Sequence, residues 1–256
     1  MHHLRAGGCL GPLRNLTMTA GYQKNAIVVG NWFGDHWRPN ARLSIAAIAE
    51  RWGIPVIELV EPIGNDDGYG QKLWLDKHCE QFDRVVWFDR DILVRYDCPS
   101  LFEIVKEGAF GCTSSHQLPW HIREDGKLLA PLFQKSGETY DFTVDHLNTG
   151  VMVFEPEQHA ELFGDARTSS KSEGALPFYD EPWLSLAAKK SRRRQLLDKS
   201  FNRCGVANLE DFTPKMSDFI WHFCGIKSDE VNSQIDTTLW QVSPLPIWIP
   251  PLVATK

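Results

Sequence analysis

Short apolar runs alternate with amphipathic stretches along the first third of the chain. Residues 26–30 (AIVVG) are apolar and end on glycine, which predicts a buried first strand. Residues 41–53 (ARLSIAAIAERWG) follow Asn40 and space their apolar positions three and four apart. That pattern predicts a helix with an Asn cap and a Gly53 stop. Residues 55–60 (PVIELV) predict a second strand, 61–70 (EPIGNDDGYG) a loop, and 71–82 (QKLWLDKHCEQF) a second helix. Residues 84–94 (RVVWFDRDILV) are the most strand-like stretch of all. Strand-helix-strand-helix-strand order with buried strands predicts an α/β fold whose sheet is mainly parallel and flanked by helices.

The pattern continues with a helix over 101–108 (LFEIVKEG) and a strand over 109–114 (AFGCTS). Residues 114–145 read mostly as loop. A strand follows over 146–154 (HLNTGVMVF), then a helix over 156–164 with Pro156 in first position. Residues 168–177 (TSSKSEGALP) read as a flexible polar loop. Asp180-Glu181-Pro182 opens a further helix running into WLSLAAKKSRRR, and 218–225 (DFIWHFCG) is a late strand before a proline-rich tail. There is no repeat, heptad or linker in the sequence, so residues 21–256 read as a single domain. Residues 1–20 read as a disordered leader, with Met18 an alternative start.

Charge narrows the function classes. There are 33 acidic against 27 basic residues among 256, a net charge of -6. A nucleic-acid binder ordinarily carries a basic surplus, so that class is disfavoured. An acidic protein that handles phosphates needs a cation to invert the local sign. No run of apolar residues is long enough for a transmembrane helix, and Gly, Pro and Arg break up the N-terminus as a signal peptide. The six cysteines form no CxxC pair. Reduced, mostly buried thiols in a cytoplasmic protein are the expectation.

Within 84–94, Asp89 and Asp91 stand two apart after an apolar run. On a strand, residues two apart share a face, so two carboxylates would converge where the sheet ends. Their repulsion is relieved by a hard divalent cation such as Mn2+ or Mg2+. Open α/β sheets bind ligands at such strand ends. Three further features join this pair. Asn148, Thr149 and Gly150 stand just ahead of an apolar strand, where glycine permits close approach and asparagine offers donor and acceptor. Asp180 and Glu181 stand at a helix start, where a helix cap is the simpler reading. His222 lies inside an apolar strand, as a core histidine or a metal ligand.

In this order, FDRVVWFDRDILV (82–94), LNTGVMVFEP (147–156), YDEPWLSL (179–186) and WHFCGIK (221–227) resemble the glycogenin-like family 8 glycosyltransferases. These are retaining enzymes of the GT-A fold that use nucleotide sugars. The resemblance implies Asp89, Asp91 and His222 as ligands of Mn2+ (or Mg2+), with the metal holding the nucleotide diphosphate. It implies Asn148 and Gly150 beside the donor sugar, and Asp180 and Glu181 on the acceptor side, with Glu where the family commonly has glutamine. The family's His-x-x-Gly-x-x-Lys is one residue shorter here, as His222, Gly225 and Lys227. Lys72 falls where the family often has a lysine near the donor. The family's base-binding turn has no close match. By position alone, Asn31, Trp32 and Phe33 after the first strand face the base.

The implied reaction is transfer of a hexose from a nucleotide diphosphate sugar, UDP by family default, to an acceptor hydroxyl through an oxocarbenium-like transition state. Retention needs a carboxylate nucleophile, for which Asp180 is placed, or same-face attack. Two rivals stand beside this reading. A haloacid-dehalogenase-like phosphatase also has D-x-D after an apolar strand, but on its first strand. A non-catalytic sugar-nucleotide-binding relative would keep the fold without turnover. Of ten tryptophans, Trp120 and Trp183 are the candidates to stack on an acceptor sugar. Trp52, Trp74, Trp87 and Trp221 read as core. The basic run Lys189, Lys190, Arg192, Arg193 and Arg194 reads as a solvated helix end, with peripheral contact to an anionic membrane surface or acceptor as the alternative.

Overall fold

The computed structural model describes residues 24–32, 39–64, 70–117, 127–173, 176, 179–204 and 217–223. β1 (Asn25–Gly30) leads to α1 (Pro39–Trp52) and β2 (Val56–Leu59). Gly53, at φ +68, ends α1 in the left-handed conformation that glycine adopts most easily. A 3-10 turn (Gly70–Trp74) runs into α2 (Leu75–His78), followed by β3 (Arg84–Phe88), β4 (Ile92–Val94), α3 (Leu101–Ile104) and β5 (Phe110–Ser114). Then come α4 (Ala130–Lys135), α5 (Phe142–Asp145), β6 (Leu147–Phe154), α6 (Ala160–Glu173) and α7 (Glu181–Ser191). β7 (Arg194–Leu196), β8 (Arg203–Cys204) and β9 (Ile220–His222) complete the described elements.

The main sheet has the order β2-β1-β3-β6-β5-β7. β1 is parallel to β2 and β3, and β7 to β5, while β6 runs antiparallel to both its neighbours. Parallel pairings predominate, as the strand-helix alternation predicts. The three central strands are buried on both faces. Ile27, Val29, Val86, Phe88, Val151 and Val153 face a core shared with Ile45 and Ile48 of α1. Ala26, Val28, Val85, Trp87, Met152 and Phe154 face the opposite core, with Phe163 of α6 and Leu184 of α7. This two-sided burial is why these strands read as unbroken apolar runs rather than alternating ones.

Several boundaries differ from expectation. Residues 84–94 are not one strand. β3 belongs to the main sheet, and β4 pairs with β9 in a second sheet of order β4-β9-β8. Apolar periodicity cannot show this break because Ile92, Leu93 and Val94 are as buried as the residues before it. Helix α6 begins at Ala160, not at Pro156, and continues through the polar TSSKSE expected as loop. Arg167 explains part of that continuation: it reaches from α6 to Asp76 at 2.5 Å and to the Leu73 carbonyl at 2.6 Å. The 114–145 stretch holds α4 and α5 besides its loops. The leader and the proline-rich tail lie outside the described residues.

Candidate metal and sugar-nucleotide site

Between β3 and β4 the chain turns at Asp89, Arg90 and Asp91. Main-chain bonds pin this turn on three sides. The Asp89 N–H donates to the Gly150 carbonyl at 2.9 Å, the Ile92 N–H to the Asp89 carbonyl at 3.1 Å, and the Phe223 N–H to the Asp91 carbonyl at 3.1 Å. The two carboxylates therefore converge because the chain leaves one sheet for the other, not because a strand alternates its faces. His222 arrives from β9, paired with Ile92. Its Nε2 stands 3.4 Å from Asp91 Oδ1 and 3.6 Å from Asp89 Oδ2. One ligand atom from each of Asp89, Asp91 and His222 lies within 4.8 Å of the others.

The start of β6 forms the floor. Asn148, Thr149 and Gly150 lie inside this strand rather than ahead of it. A β-carbon on Gly150 would collide with the His222 ring, so glycine here is required by close approach. Asn148 is buried and bonds in four directions. Its Oδ1 accepts from the Gly150 N–H at 3.1 Å and from Asn202 Nδ2 at 2.7 Å, and it faces His222 Nδ1 at 3.1 Å. Its Nδ2 donates to Glu181 Oε1 at 3.1 Å. The other Glu181 oxygen lies 3.1 Å from His146 Nε2.

Asp180 precedes α7 but does not cap it with its side chain. Its carboxylate instead accepts from Thr149 Oγ1 at 2.6 Å and lies 3.8 Å from Lys72 Nζ. Burial pushes the Asp180 carboxyl up to about 6, against the opposing pull of Lys72 and Thr149. Lys72 also donates to Asp89 Oδ2 at 2.8 Å. Burial alone would lower its pKa, but Asp180 and Asp89 outweigh that and hold the ammonium above its ordinary range. One lysine thus faces Asp89, Asp180 and Glu181. Two carboxylates and an imidazole are a donor set suited to Mn2+ or Mg2+, and such an ion would offset the acidic excess.

The other expected site residues are placed as follows. Asn31 is buried and donates to Glu58 Oε1 at 2.6 Å. Trp32 stacks on Trp87 at 5.6 Å, and Trp87 Nε1 donates to Asp89 Oδ1 at 2.9 Å. Trp32 is therefore one ring removed from the acidic turn. Gly225 and Lys227, with Phe33 and Trp120, lie outside the described residues. Trp183 does not face a sugar site: it is 3% exposed, in the core with Leu184 and Phe163, because the stretch just after a helix start points inward here. Four of the five cations at the end of α7 are engaged internally, Lys189 and Arg194 with Asp145, Arg192 with Glu138, and Arg193 with the Gln158 carbonyl. Sequence patterns did not single out Thr149's bond to Asp180, His146 or Asn202. His146 and Asn202 are lone polar residues with no periodic signal, and only the fold brings them to the site.

No protein-family model matches the chain, and no curated protein matches it. Among solved structures, the WbbM bifunctional glycosyltransferase superposes on 82% of the chain with a TM-score of 0.59 and 13% identity. The chain spans 47% of that protein, about half its length. The galactosyltransferase LgtC, in complex with donor and acceptor sugar analogs, covers 86% of this chain and is covered over 97% of its own, with a TM-score of 0.55 and 12% identity. A glycosyltransferase involved in glycosylation of the major capsid of PBCV-1 gives a TM-score of 0.55 and 13% identity, over 83% of this chain and 98% of that one. At such identities the likeness is one of fold. The chain has the GT-A, nucleotide-diphospho-sugar transferase fold.

Proposed function

We propose that this chain is a metal-dependent glycosyltransferase that moves a hexose from a nucleotide diphosphate sugar, UDP-hexose in the first instance, to an acceptor hydroxyl with retention. The observation that carries the reading is the convergence of Asp89, Asp91 and His222 at the carboxyl end of β3 in a GT-A fold. Asp89, Asp91 and His222 would hold Mn2+ or Mg2+. When bound, such an ion supplies Lewis-acid stabilisation of the departing diphosphate. Lys72, kept cationic by its two carboxylate neighbours, adds fixed positive charge beside that group. Asn148 and Gly150 line the donor side, and Asp180 and Glu181 the acceptor side. The deep burial of Asp180, with one oxygen already taken by Thr149, favours same-face attack over covalent capture. Asn31, Trp32, Gly225 and Lys227 are assigned to the nucleotide by position in the chain.

No helix among the described residues is long and apolar enough to cross a membrane. Cys79, Cys98 and Cys112 are buried free thiols, which accords with a reducing, cytoplasmic setting. The test is Mn2+-dependent hydrolysis of UDP-hexose by the full chain, with and without EDTA, beside the Asp89→Ala variant. The expected loss is at least about a hundredfold in both arms, the scale of removing a transition-state charge stabiliser. Undiminished turnover in both arms removes the metal-dependent reading.

A further inference from the structure

The bonding around Asn148 settles which way each neighbouring amide and ring must point. Donor and acceptor chemistry fixes each orientation. The Gly150 N–H can only donate and the Glu181 carboxylate only accepts; they lie on opposite ends of the Asn148 amide, at 3.1 Å each. Asn148 therefore presents its oxygen to Gly150 and its NH2 to Glu181. The flipped amide would set donor against donor and acceptor against acceptor. With that oxygen fixed, Asn202 at 2.7 Å must offer its NH2, which also donates to Thr113 Oγ1 at 2.8 Å. His222 Nδ1, 3.1 Å from the same oxygen, must then carry a hydrogen. A neutral imidazole protonated on Nδ1 has its lone pair on Nε2, the atom that faces Asp89 and Asp91.

We propose that Asn202, acting through Asn148, is a positioning residue that holds His222 in its Nδ1–H tautomer and so aims the Nε2 lone pair into the Asp89–Asp91 turn. Asn202 touches none of the three ligand atoms. It is fully buried and sits between the main sheet, through Thr113 of β5, and the second sheet, next to β8. A metal-ligating imidazole needs its other nitrogen fixed by an acceptor, and here that acceptor is an amide held jointly by Gly150, Glu181 and Asn202. Cys204, two residues on, lies 3.7 Å from His222 Nδ1 as well. A thiol can donate to that nitrogen in the opposite tautomer, so the competing state has a ready partner, and the Asn148 oxygen excludes it. The proposal rests on the metal reading above only for its consequence; the tautomer itself is a property of the metal-free protein.

The test is long-range 15N–1H NMR of the full chain without metal, well above the ordinary imidazole range of about 6.5. The His222 signals are identified by their loss in His222→Gln. The expected result is a single His222 tautomer with the hydrogen on Nδ1. In the near-isosteric Asn202→Asp, the NH2 facing Asn148 is gone, so an Nε2–H population should appear and the Mn2+ dissociation constant should rise about tenfold to a hundredfold. A wild-type spectrum dominated by Nε2–H overturns the proposal without need of any variant. So does an Asn202→Asp protein whose tautomer and Mn2+ affinity both match the wild type. If the wild type shows the Nδ1–H tautomer but takes up no Mn2+, it is the metal reading that fails, and the tautomer lock stands.

Discussion

Helix α7 meets a buried aspartate near each of its ends, and the two titrate in opposite directions. Asp145, under the C-terminal turn, is 1% exposed, and Asp180, at the N-terminus, is 3% exposed. Burial works to raise both. At Asp145 it is outweighed by Lys189 at 2.5 Å, the Asp141 N–H at 2.7 Å and Arg194 at 2.8 Å, and the carboxyl is held below its ordinary range. At Asp180 burial wins over Lys72 and Thr149, with Glu181 and Asp89 adding to it, and the carboxyl rises to about 6. Depth of burial does not set the direction of the shift. The balance of partners does: two cations share one acid at the first end, and one cation faces three acids at the other. An uncompensated excess is tolerable where a cation or a polar substrate is expected to complete it.

The largest expected effect tests the structural end. Asp145→Ala leaves Lys189 and Arg194 without their shared counter-charge, and both side chains are less than a fifth exposed. Breaking such a buried arrangement costs about 3–5 kcal/mol, or roughly 10 °C in Tm, read by thermal melting. Asp180→Asn should do the reverse, leaving Tm at or above that of the wild type at neutral pH while lowering sugar transfer or donor hydrolysis by about 10²–10³. If Asp180→Asn melts as low as Asp145→Ala, the two ends are alike and the contrast collapses. Next in size is Gly150→Ala. The new methyl displaces the His222 ring, so Mn2+ affinity measured by titration calorimetry should fall about tenfold to a hundredfold with the fold retained.

The pH dependence sharpens the contrast further, and the signs differ. A lowered carboxyl such as Asp145 contributes stability that is full above its ordinary value of 3.8 and is lost as pH falls below it. A raised carboxyl such as Asp180 contributes stability present below 3.8 and lost as pH rises towards about 6. Denaturant melts in EDTA should therefore show wild type losing stability relative to Asp180→Asn between those values, by at most about 1.4 kcal/mol per pH unit. Equal slopes for the two proteins would mean that Asp180 titrates normally.

The contrast was only half visible in the sequence. Asp89, Asp91, Asn148, Gly150, Asp180, Glu181 and His222 stand out because each interrupts or borders an apolar run, and the fold gathers all seven. Lys72 is reached through family resemblance and by geometry through its bond to Asp89. Asn202 leaves no trace in LDKSFNRC, a polar stretch in which any residue looks like surface, yet it is fully buried. The turn between β3 and β4 was hidden for the opposite reason: apolar residues continue across it while the hydrogen-bonding partner changes from β6 to β9. Periodicity reports burial, not which sheet does the burying. Asp145, in a stretch that reads as loop, gives no sign of its burial or its charge partners, since Lys189 and Arg194 lie more than forty residues away.

The smallest expected effect lies at Arg192, which closes α7 in the left-handed conformation at φ 58. A non-glycine residue there costs about 1 kcal/mol relative to glycine. Its ion pair with Glu138 returns little, because the Arg192 side chain is 69% exposed and such pairs contribute about 0–1 kcal/mol. Arg192→Gly removes both terms, and they have opposite signs. The melting temperature should move by no more than a few degrees and donor turnover should not change, as measured on the same preparations as Asp145→Ala. A large loss would mean that the charge at position 192 supports Asp145 through the neighbouring Lys189 and Arg194. The structural end would then be a coupled cationic network rather than one carboxylate held by two cations, and its resistance to single substitutions would have to be judged as a unit.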